Sequence, residues 1–482
     1  MKETRKFALD VGLTFIASAI SMLLSFIIIV FLGRYLGPGD LGLYQMTSTI
    51  YGIVIVFAGI GIPGAMIKYV AESRKESKEF NVIISSGVIT SLFLGLIFSL
   101  LVYLLSGIFE GIFNMPGLSD LLKILSLVFP FALVGGALLG LLNGVRDMKK
   151  YSIATIIQSV LMLVISLLSL YLGYGVSGLV LGIVLASVGS CLYLVSVSRN
   201  YFEISFEYYF QTTKKMLVFG AQIFGVNAIN LINYYADTIM IGYFLTAADV
   251  GYYGVASGFS KFFWIIPQAI QTITYPATAE YWNKNYNSAL QTMIDKSMKY
   301  TACLLFPIGL GVGFFSKEII TMMFGGGFVS SVLPLQILIV GTVIFGLIKA
   351  IGGSVTAAGR PDLGLKVVGV SAGVNIALNV LLIPYFGISG AAIATVISLS
   401  INSLLIVILT IKILKIKIDF QWHVKMFGMT ILAILFFNYL GFVGKYLVGA
   451  LILLIYVFII IALFLTNEDK KYFKDLIQNI GV

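Results

Sequence analysis

Fourteen stretches of roughly 20 or more mostly apolar residues succeed one another along this chain, near 8–33, 41–67, 81–107, 121–145, 152–173, 176–198, 216–245, 250–276, 298–316, 331–357, 363–386, 388–411, 424–443 and 446–466. A bilayer core about 30 Å thick is crossed by about 20 helical residues. In hydrocarbon a helix is the simplest segment that satisfies its own backbone. The pattern therefore predicts an all-α membrane protein of about fourteen transmembrane helices. Composition agrees: 59% of the 482 residues are hydrophobic and 11% are charged, whereas soluble domains carry roughly a quarter charged residues. The first stretch is expected to remain as a span rather than be cleaved. It is long, lacks a small-residue cleavage site, and leads through Gly37-Pro38-Gly39 straight into the second.

A net charge of +10 would suit a nucleic-acid binder only if the basic residues gathered on one segment. Instead they recur in short runs between apolar stretches, as the positive-inside bias produces, and no nucleic-acid partner is expected. Placing the N-terminus in the cytoplasm puts 25 of the 31 Lys and Arg in inside loops, among them Lys68, Arg146, Lys150, Lys214, Lys215 and Arg360. Arg34, Lys123, Lys317 and Lys445 fall near the outer side, and Lys261 and Lys349 fall within spans. Both termini are expected in the cytoplasm, in a multi-pass protein of the plasma membrane. Cys191 and Cys303 lie in apolar runs and promise no disulfide framework. The lone His423, in a basic stretch expected to be a loop, has no metal-ligating neighbours; no metal site and no cofactor are expected.

The chain repeats itself. Gly33-Arg-Tyr-Leu-Gly-Pro-Gly-Asp40-Leu-Gly42-Leu-Tyr44, between spans 1 and 2, aligns with Gly242-Tyr-Phe-Leu-Thr-Ala-Ala-Asp249-Val-Gly251-Tyr-Tyr253, between spans 7 and 8, at an offset of 209 residues. Tyr174-Gly-Val-Ser-Gly178 aligns with Phe386-Gly-Ile-Ser-Gly390 at offset 212, and Gly144-Val-Arg146-Asp147 echoes Gly359-Arg360-Pro-Asp362. Six spans separate the copies, so both have one orientation. Parallel repeats predict two six-helix lobes about a pseudo-two-fold axis along the membrane normal, with a site between them. The expected organisation is residues 1–200 as one lobe, 201–418 as the second, and 419–482 as an added helix pair with a tail.

Enzyme motifs are missing: no Gly-rich nucleotide-binding loop precedes a Lys-Ser/Thr pair, and Gly325-Gly326-Gly327 reads as a turn in a short outer loop. The informative residues are polar ones inside spans. Asn227, Asn230, Asn233 and Asp237 keep to one face of span 7, as Ser257, Lys261, Trp264, Gln268, Gln271 and Tyr275 do in span 8. Span 1 carries the milder stripe Thr14, Ser18, Ser21 and Ser25. Amides and hydroxyls of this kind serve either as helix–helix hydrogen bonds worth about 0.6 kcal/mol or as cavity lining. An ionised side chain at bilayer depth costs about 2.5–3.5 kcal/mol, so Asp237 and Lys261 must meet water, a ligand or each other. Lys349 can snorkel from its span end. Arg34, Asp40 and Asp249 sit in the outer hinge loops, as turn-stabilising or gating residues.

The Gly33–Tyr44 stretch, the run Tyr235-Ala-Asp237-Thr-Ile-Met-Ile-Gly-Tyr-Phe-Leu245 and the fourteen-span plan resemble the polysaccharide-export flippases. These form the Wzx-type branch of the superfamily that includes MurJ and the multidrug and toxin extrusion transporters. The resemblance extends over essentially the whole chain. It implies two lobes in a V, a cavity lined by spans 1, 2, 7 and 8, and a transporter, not an enzyme, that moves a lipid-linked oligosaccharide to the outer leaflet. The implied partners are a polyprenyl- or dolichyl-linked glycan and membrane lipids, handled by a monomer coupled to H+, Na+ or the membrane potential. Trp264 and Tyr275 would then stack on sugars, the amides would bond hydroxyls, and Lys261 would meet the diphosphate. Residues 11–33 lack the charged residues of a MurJ first helix, which disfavours lipid II as substrate. Spans 13 and 14 are absent from typical drug extruders and are like the pair that forms a lipid-tail groove in MurJ.

Two further readings stand beside this one. A cation-coupled exporter of small amphipathic compounds would use Asp237 as its ion site. A membrane glycan polymerase would need a large outer loop that the sequence lacks. The topology is testable directly: single cysteines at positions 76, 148 and 470 should react with impermeant maleimide only from the cytoplasmic side, and one at position 113 only from outside.

Overall fold

The computed structural model describes the backbone of residues 2–74, 77–201 and 203–464, with side chains from residue 10 onward except at 11, 226, 227, 442, 443, 463 and 464. The described residues form helices and no strands. In chain order the helices are α1 (Lys2–Leu36), α2 (Pro38–Gly59), α3 (Ile62–Glu72), α4 (Lys78–Phe113), α5 (Leu118–Ser126), α6 (Phe129–Gly144), α7 (Met148–Tyr171) and α8 (Gly175–Ser198). There follow α9 (Tyr209–Phe244), α10 (Ala247–Phe262), α11 (Ile265–Asn283), α12 (Asn287–Phe314), α13 (Ser316–Phe324), α14 (Val332–Lys349), α15 (Ser354–Ala357), α16 (Pro361–Leu414) and α17 (Phe420–Ile459).

Among the described residues ten helical stretches are long and apolar enough to cross a bilayer. Two pairs bent by 49°, α5 with α6 and the two halves of α9, raise the number to twelve. The expected spans 11 and 12 run on as the 54-residue α16, about 80 Å of helix at 1.5 Å per residue. That is more than twice the hydrocarbon thickness, and the backbone turns at Gly387, at φ 57° and ψ −141°, a conformation that favours glycine. The expected span 8 is divided into α10 and α11 at Phe263 and Trp264. The expected span 2 breaks at Ile60 and Gly61, both left-handed, and Pro63 restarts it as α3.

Local chemistry sets the helix starts. Ser77 caps α4 by accepting from the Phe80 N–H at 3.2 Å, and Asp419 caps α17 by accepting from the Gln421 N–H at 3.0 Å. His423 therefore lies in the first turn of α17, not in a loop, with Nδ1 3.1 Å from the Asp419 carbonyl. Asp147 caps α7 at the Lys150 N–H and also accepts from the Tyr201 hydroxyl at 2.6 Å. Burial pushes its carboxyl upward, but the Tyr201 and Lys150 bonds outweigh this and hold it below the usual carboxylate range. At the echo of this motif the Arg360 guanidinium makes two 2.9 Å bonds to the Asp362 carboxylate.

The chain divides into two compact units: residues through Gly254 with Met323–Phe328, and Val255–Met322 with Val329 onward. The repeat places a symmetry boundary at 200, whereas the packing boundary falls at 254, because α9 packs with α2, α3 and α4. The core of the first unit joins Met66 of α3, Ile84 of α4, Leu141 of α6 and Leu194 of α8, all buried. Lipid tails are as apolar as leucine, so close packing has to hold such helices together, and small residues allow it. A Cβ added to Gly140 would lie 2.7 Å from the Pro63 carbonyl oxygen, and one on Gly144 2.8 Å from Val70. On α4 the exposed face of Phe93, Leu96, Leu100, Leu104 and Ile108 suits hydrocarbon rather than water. Among the described residues neither Cys191 nor Cys303 forms a disulfide.

In the second unit α17 breaks at Gly444 and packs on α12. Phe314 stacks on Phe437 at 3.9 Å, and Lys445 Nζ binds Glu318 Oε1 of α13 at 2.8 Å. Burial raises the Glu318 carboxyl's affinity for a proton, but the Lys445 bond prevails and its pKa is lowered. A depressed carboxylate stabilises above its unfolded pKa, about 4.3, and loses that contribution as pH falls through its folded value. Glu318→Gln should thus reduce unfolding stability at pH 7 by up to about 1 kcal/mol. Thermal unfolding in detergent should show the difference from wild type shrinking as pH falls below about 4.3.

Candidate functional site

The repeat motifs meet at the start of α2 and α10. Gly42 faces the Ala247 carbonyl, and Gly251 faces the Pro38 carbonyl; a Cβ on either glycine would overlap that oxygen. Gly42 and Gly251 are repeat mates, as are Pro38 and Ala247, so the contact is reciprocal. Gln45 fills the space over its own mate, Gly254. The two copies begin their helices differently. α2 starts at Gly37-Pro38, with Gly37 at φ 86°. α10 starts at a capping turn, where Asp249 accepts from the Thr246 hydroxyl at 2.6 Å and from its N–H at 3.1 Å. Thr246 thus caps α10, and Asp249 is held as its partner in the capping box, its own N–H donating to the Thr246 hydroxyl at 3.3 Å. Asp40 stands in the first turn of α2, half-buried, and Arg34 is exposed in the last turn of α1.

A second seam joins α2 and α3 to α9. A Cβ on Gly61 would overlap the Gly220 carbonyl, and one on Gly220 the Ile60 carbonyl. Tyr235 covers Gly52, Ile223 covers Gly64, and Phe57 meets Phe224 edge-on at 5.1 Å. Asn230 and Asn233 are exposed on α9, and Asn233 donates to the Ile229 carbonyl at 3.4 Å. Asn227's side chain lies outside the described residues.

Asp237 is half-buried and accepts a 2.6 Å hydrogen bond from the hydroxyl of Tyr253, a buried residue of α10. Tyr253 is a partner of Asp237 that span-by-span reading misses. The repeat itself held the signal, since its mate is Tyr44 while the mate of Asp237 is the buried Ile28. The carboxylate–hydroxyl pair therefore belongs to the second copy alone.

In the second unit Lys261 is half-buried in the last turn of α10. Trp264 opens α11 with its ring 5.6 Å from that of Phe345, and the Lys349 ammonium lies 5.5 Å from the Trp264 centroid. Lys349 is thus held on two aromatic faces. Gln268 is exposed, Gln271 half-buried, and Tyr275 is 43% exposed beside Gly353. The span 1 serines divide by environment. Ser21 accepts from Ser159 of α7 at 2.7 Å, an interhelical bond. Ser18 donates to its own helix at Thr14, 2.9 Å away, and it and Ser25 are exposed.

Residues 31–333 match the family of polysaccharide biosynthesis proteins. The chain belongs to that family. Its similarity to the probable low-salt glycan biosynthesis flippase Agl15 of Haloferax volcanii is 26% identity over 393 residues, 81% of this chain and 80% of the relative. The putative O-antigen transporter of Shigella flexneri is 23% identical over 78% of this chain and 91% of its own. Among solved structures, the lipid II flippase MurJ in an inward closed conformation superposes with a TM-score of 0.72 at 17% identity, over 98% of this chain and 100% of that one. An inward-facing multidrug resistance transporter of the MATE family gives 0.67 at 16% identity, over 82% and 95%. This member of the polysaccharide biosynthesis proteins therefore has the MurJ and MATE fold.

The reciprocal glycine contact makes a steric prediction. Cysteines replacing Gly39 and Ala248 should crosslink readily under oxidation. Adding Gly251→Leu should lower that yield by about tenfold or more, the effect of roughly 1–3 kcal/mol of overpacking, with expression retained.

Proposed function

We propose that the chain is a flippase that carries a lipid-linked oligosaccharide from the cytoplasmic to the outer leaflet by alternating access, in the synthesis of a cell-surface glycan. The observation that carries this reading is the family match, with relatives named as glycan flippases along about four fifths of both chains. In this reading fourteen spans cross the membrane: α16 supplies two by turning at Gly387, α10 with α11 forms the eighth, and α17 supplies the last two. Two six-helix lobes are related by the repeat, and both termini are cytoplasmic in the plasma membrane. The protein acts as a monomer without hydrolysing nucleotide.

The physics of the substrate fits the polar faces. A glycan headgroup cannot cross hydrocarbon, where each unsatisfied polar group costs several kcal/mol. Asn230, Asn233, Gln268 and Gln271 offer amides to hydroxyls, Tyr275 offers a ring face, and Lys261 offers a charge to the diphosphate. Asp40 and Arg34 border the outer seam at Gly42 and Gly251, which opens for release. The apolar cavity of about 360 Å3 between α12, α14 and α17, lined by Phe306, Phe314, Ile339, Phe427 and Phe437, suits a lipid tail that stays in the bilayer. An inside-negative potential drives an anion outward by about 2.3 kcal/mol per charge per 100 mV, one energy source beside an H+ or Na+ gradient.

A second reading, cation-coupled export of small amphipathic compounds, draws on the Asp237–Tyr253 pair as an ion site. Proteoliposomes separate the two. Reconstituted protein should flip a fluorescent lipid-linked oligosaccharide, and Lys261→Ala should reduce the rate at least about tenfold with folding intact, while Lys261→Arg keeps part of it. Asp237→Asn should be milder than Lys261→Ala; a more severe loss, with flipping driven by an ion gradient alone, would favour the ion-site reading. Wild-type protein that leaves the oligosaccharide in place would sink the proposal.

A further inference from the structure

At the basic end of the first unit, α3 and α9 border an open cleft of about 610 Å3, within the ~300–1,000 Å3 of small-molecule sites. Lys68 and Tyr69 enter from α3, and Lys214, Lys215 and Phe219 enter from α9. The two helices contribute lysines almost 150 residues apart in the chain. Lys68 Nζ lies 4.1 Å from the Phe219 centroid and 5.3 Å from that of Tyr69, and Lys215 Nζ lies 4.8 Å from the same Tyr69 ring. Two ammoniums on one ring stand no more than about 10 Å apart, within a Debye length of about 8–10 Å at physiological salt. Among the described residues none of the three lysines forms an ion pair with a carboxylate.

We propose that this cavity is a loading site for a lipid-borne diphosphate, which binds Lys68, Lys214 and Lys215 before its headgroup passes along α9. The proposal rests on the flippase reading and on the basic end facing the cytoplasm. Lys68 and Lys215 rest on aromatic faces and Lys214 stands exposed beside them; three like charges without a carboxylate partner are relieved by a compact anion of multiple charge. Gln211 and Gln222 line the same cavity, and their amides suit the hydroxyls of the first sugar. Val218, 58% exposed, adds an apolar surface at its edge, which suits a prenyl chain and selects a lipid-borne diphosphate over a free one.

The lining residues of α9 recur at intervals of one and three, on one face of the helix. That face also approaches the Gly61–Gly220 seam, since Phe219 and Gln222 flank Gly220. A diphosphate bridging α3 and α9 would therefore act across the joint that the two glycines close. This site is distinct from Lys261, which belongs to the other unit.

The test uses full-length protein in phosphatidylcholine nanodiscs, with farnesyl diphosphate, inorganic diphosphate and farnesol as probes, followed by thermophoresis. Farnesyl diphosphate should bind, more weakly as salt rises, and more tightly than either other probe. Lys68→Gln, Lys214→Gln and Lys215→Gln together should weaken it by about thirtyfold or more. Lys214→Gln alone, at an exposed position, should cost about threefold and serves if the triple variant does not fold. Undiminished binding by these variants, or no binding by wild type, overturns the site. Inorganic diphosphate bound as tightly as the farnesyl ester overturns the lipid assignment. Flipping of a lipid-linked oligosaccharide by the same wild-type protein is read in parallel. If it proceeds while variant binding is unchanged, the site is wrong and the flippase reading stands; if wild type does not flip, that reading itself fails.

Discussion

Hydrocarbon offers a peptide group no hydrogen-bond partner, and every other feature of this protein is arranged around that constraint. Helices answer it, so the described residues are helical nearly throughout, and departures from helix occur where the sequence supplies a specific device. Glycine turns the backbone at 387, and Gly61 with Pro63 interrupts the path from α2 into α3. Because lipid gives no hydrophobic drive for one helix to join another, helices associate by shape. Glycines accordingly allow close approaches of backbone: Gly140 against Pro63, Gly61 against Gly220, and Gly42 against the Ala247 carbonyl. Each places a backbone where a single methyl would collide.

Those contacts also link packing to transport in the proposed cycle. A seam made of two glycines and two carbonyls holds by fit rather than by strong bonds, so it can separate without leaving a buried charge behind. The Gly42–Gly251 contact sits at the repeat motif, and its reciprocity follows from that motif being present twice. The Gly61–Gly220 contact has no such symmetry. Between the two, α9 carries its polar residues, with Asp237 held by Tyr253. A carboxylate at this depth costs several kcal/mol unless it is satisfied, and the tyrosine hydroxyl supplies one such bond.

Charge is handled by position. At the loops, acid–base pairs fix local structure, as Asp147 does with Lys150 and Tyr201, and Glu318 with Lys445. In the spans, Lys349 rests on the rings of Trp264 and Phe345. At the basic end of α9, lysines converge on a cavity without carboxylate partners among the described residues. The first arrangement stabilises a fold; the last is suited to an anion that arrives from elsewhere.

Class, repeat and polar faces were legible in the residues, because hydropathy and helical periodicity are properties of neighbours in the chain. Twenty apolar residues in a row are apolar whatever they pack against, and an offset of 209 needs no coordinates. The same local logic reached Asn230, Asn233 and Asp237 as one stripe. It did not reach Tyr253 as the donor to Asp237, or Ser159 as the partner that ties Ser21 into a helix contact. Nor did it show that Asp249 binds the capping Thr246, or that Lys68 and Lys215 share a tyrosine ring. Lys68 and Lys215 read equally as topology signals in two separate loops. Such partners lie on different helices, and which helix faces which is decided by the fit of small residues and carbonyls across an interface. That fit depends on angles and depths that no single stretch of sequence encodes, so it was decided only when the tertiary structure brought the helices together.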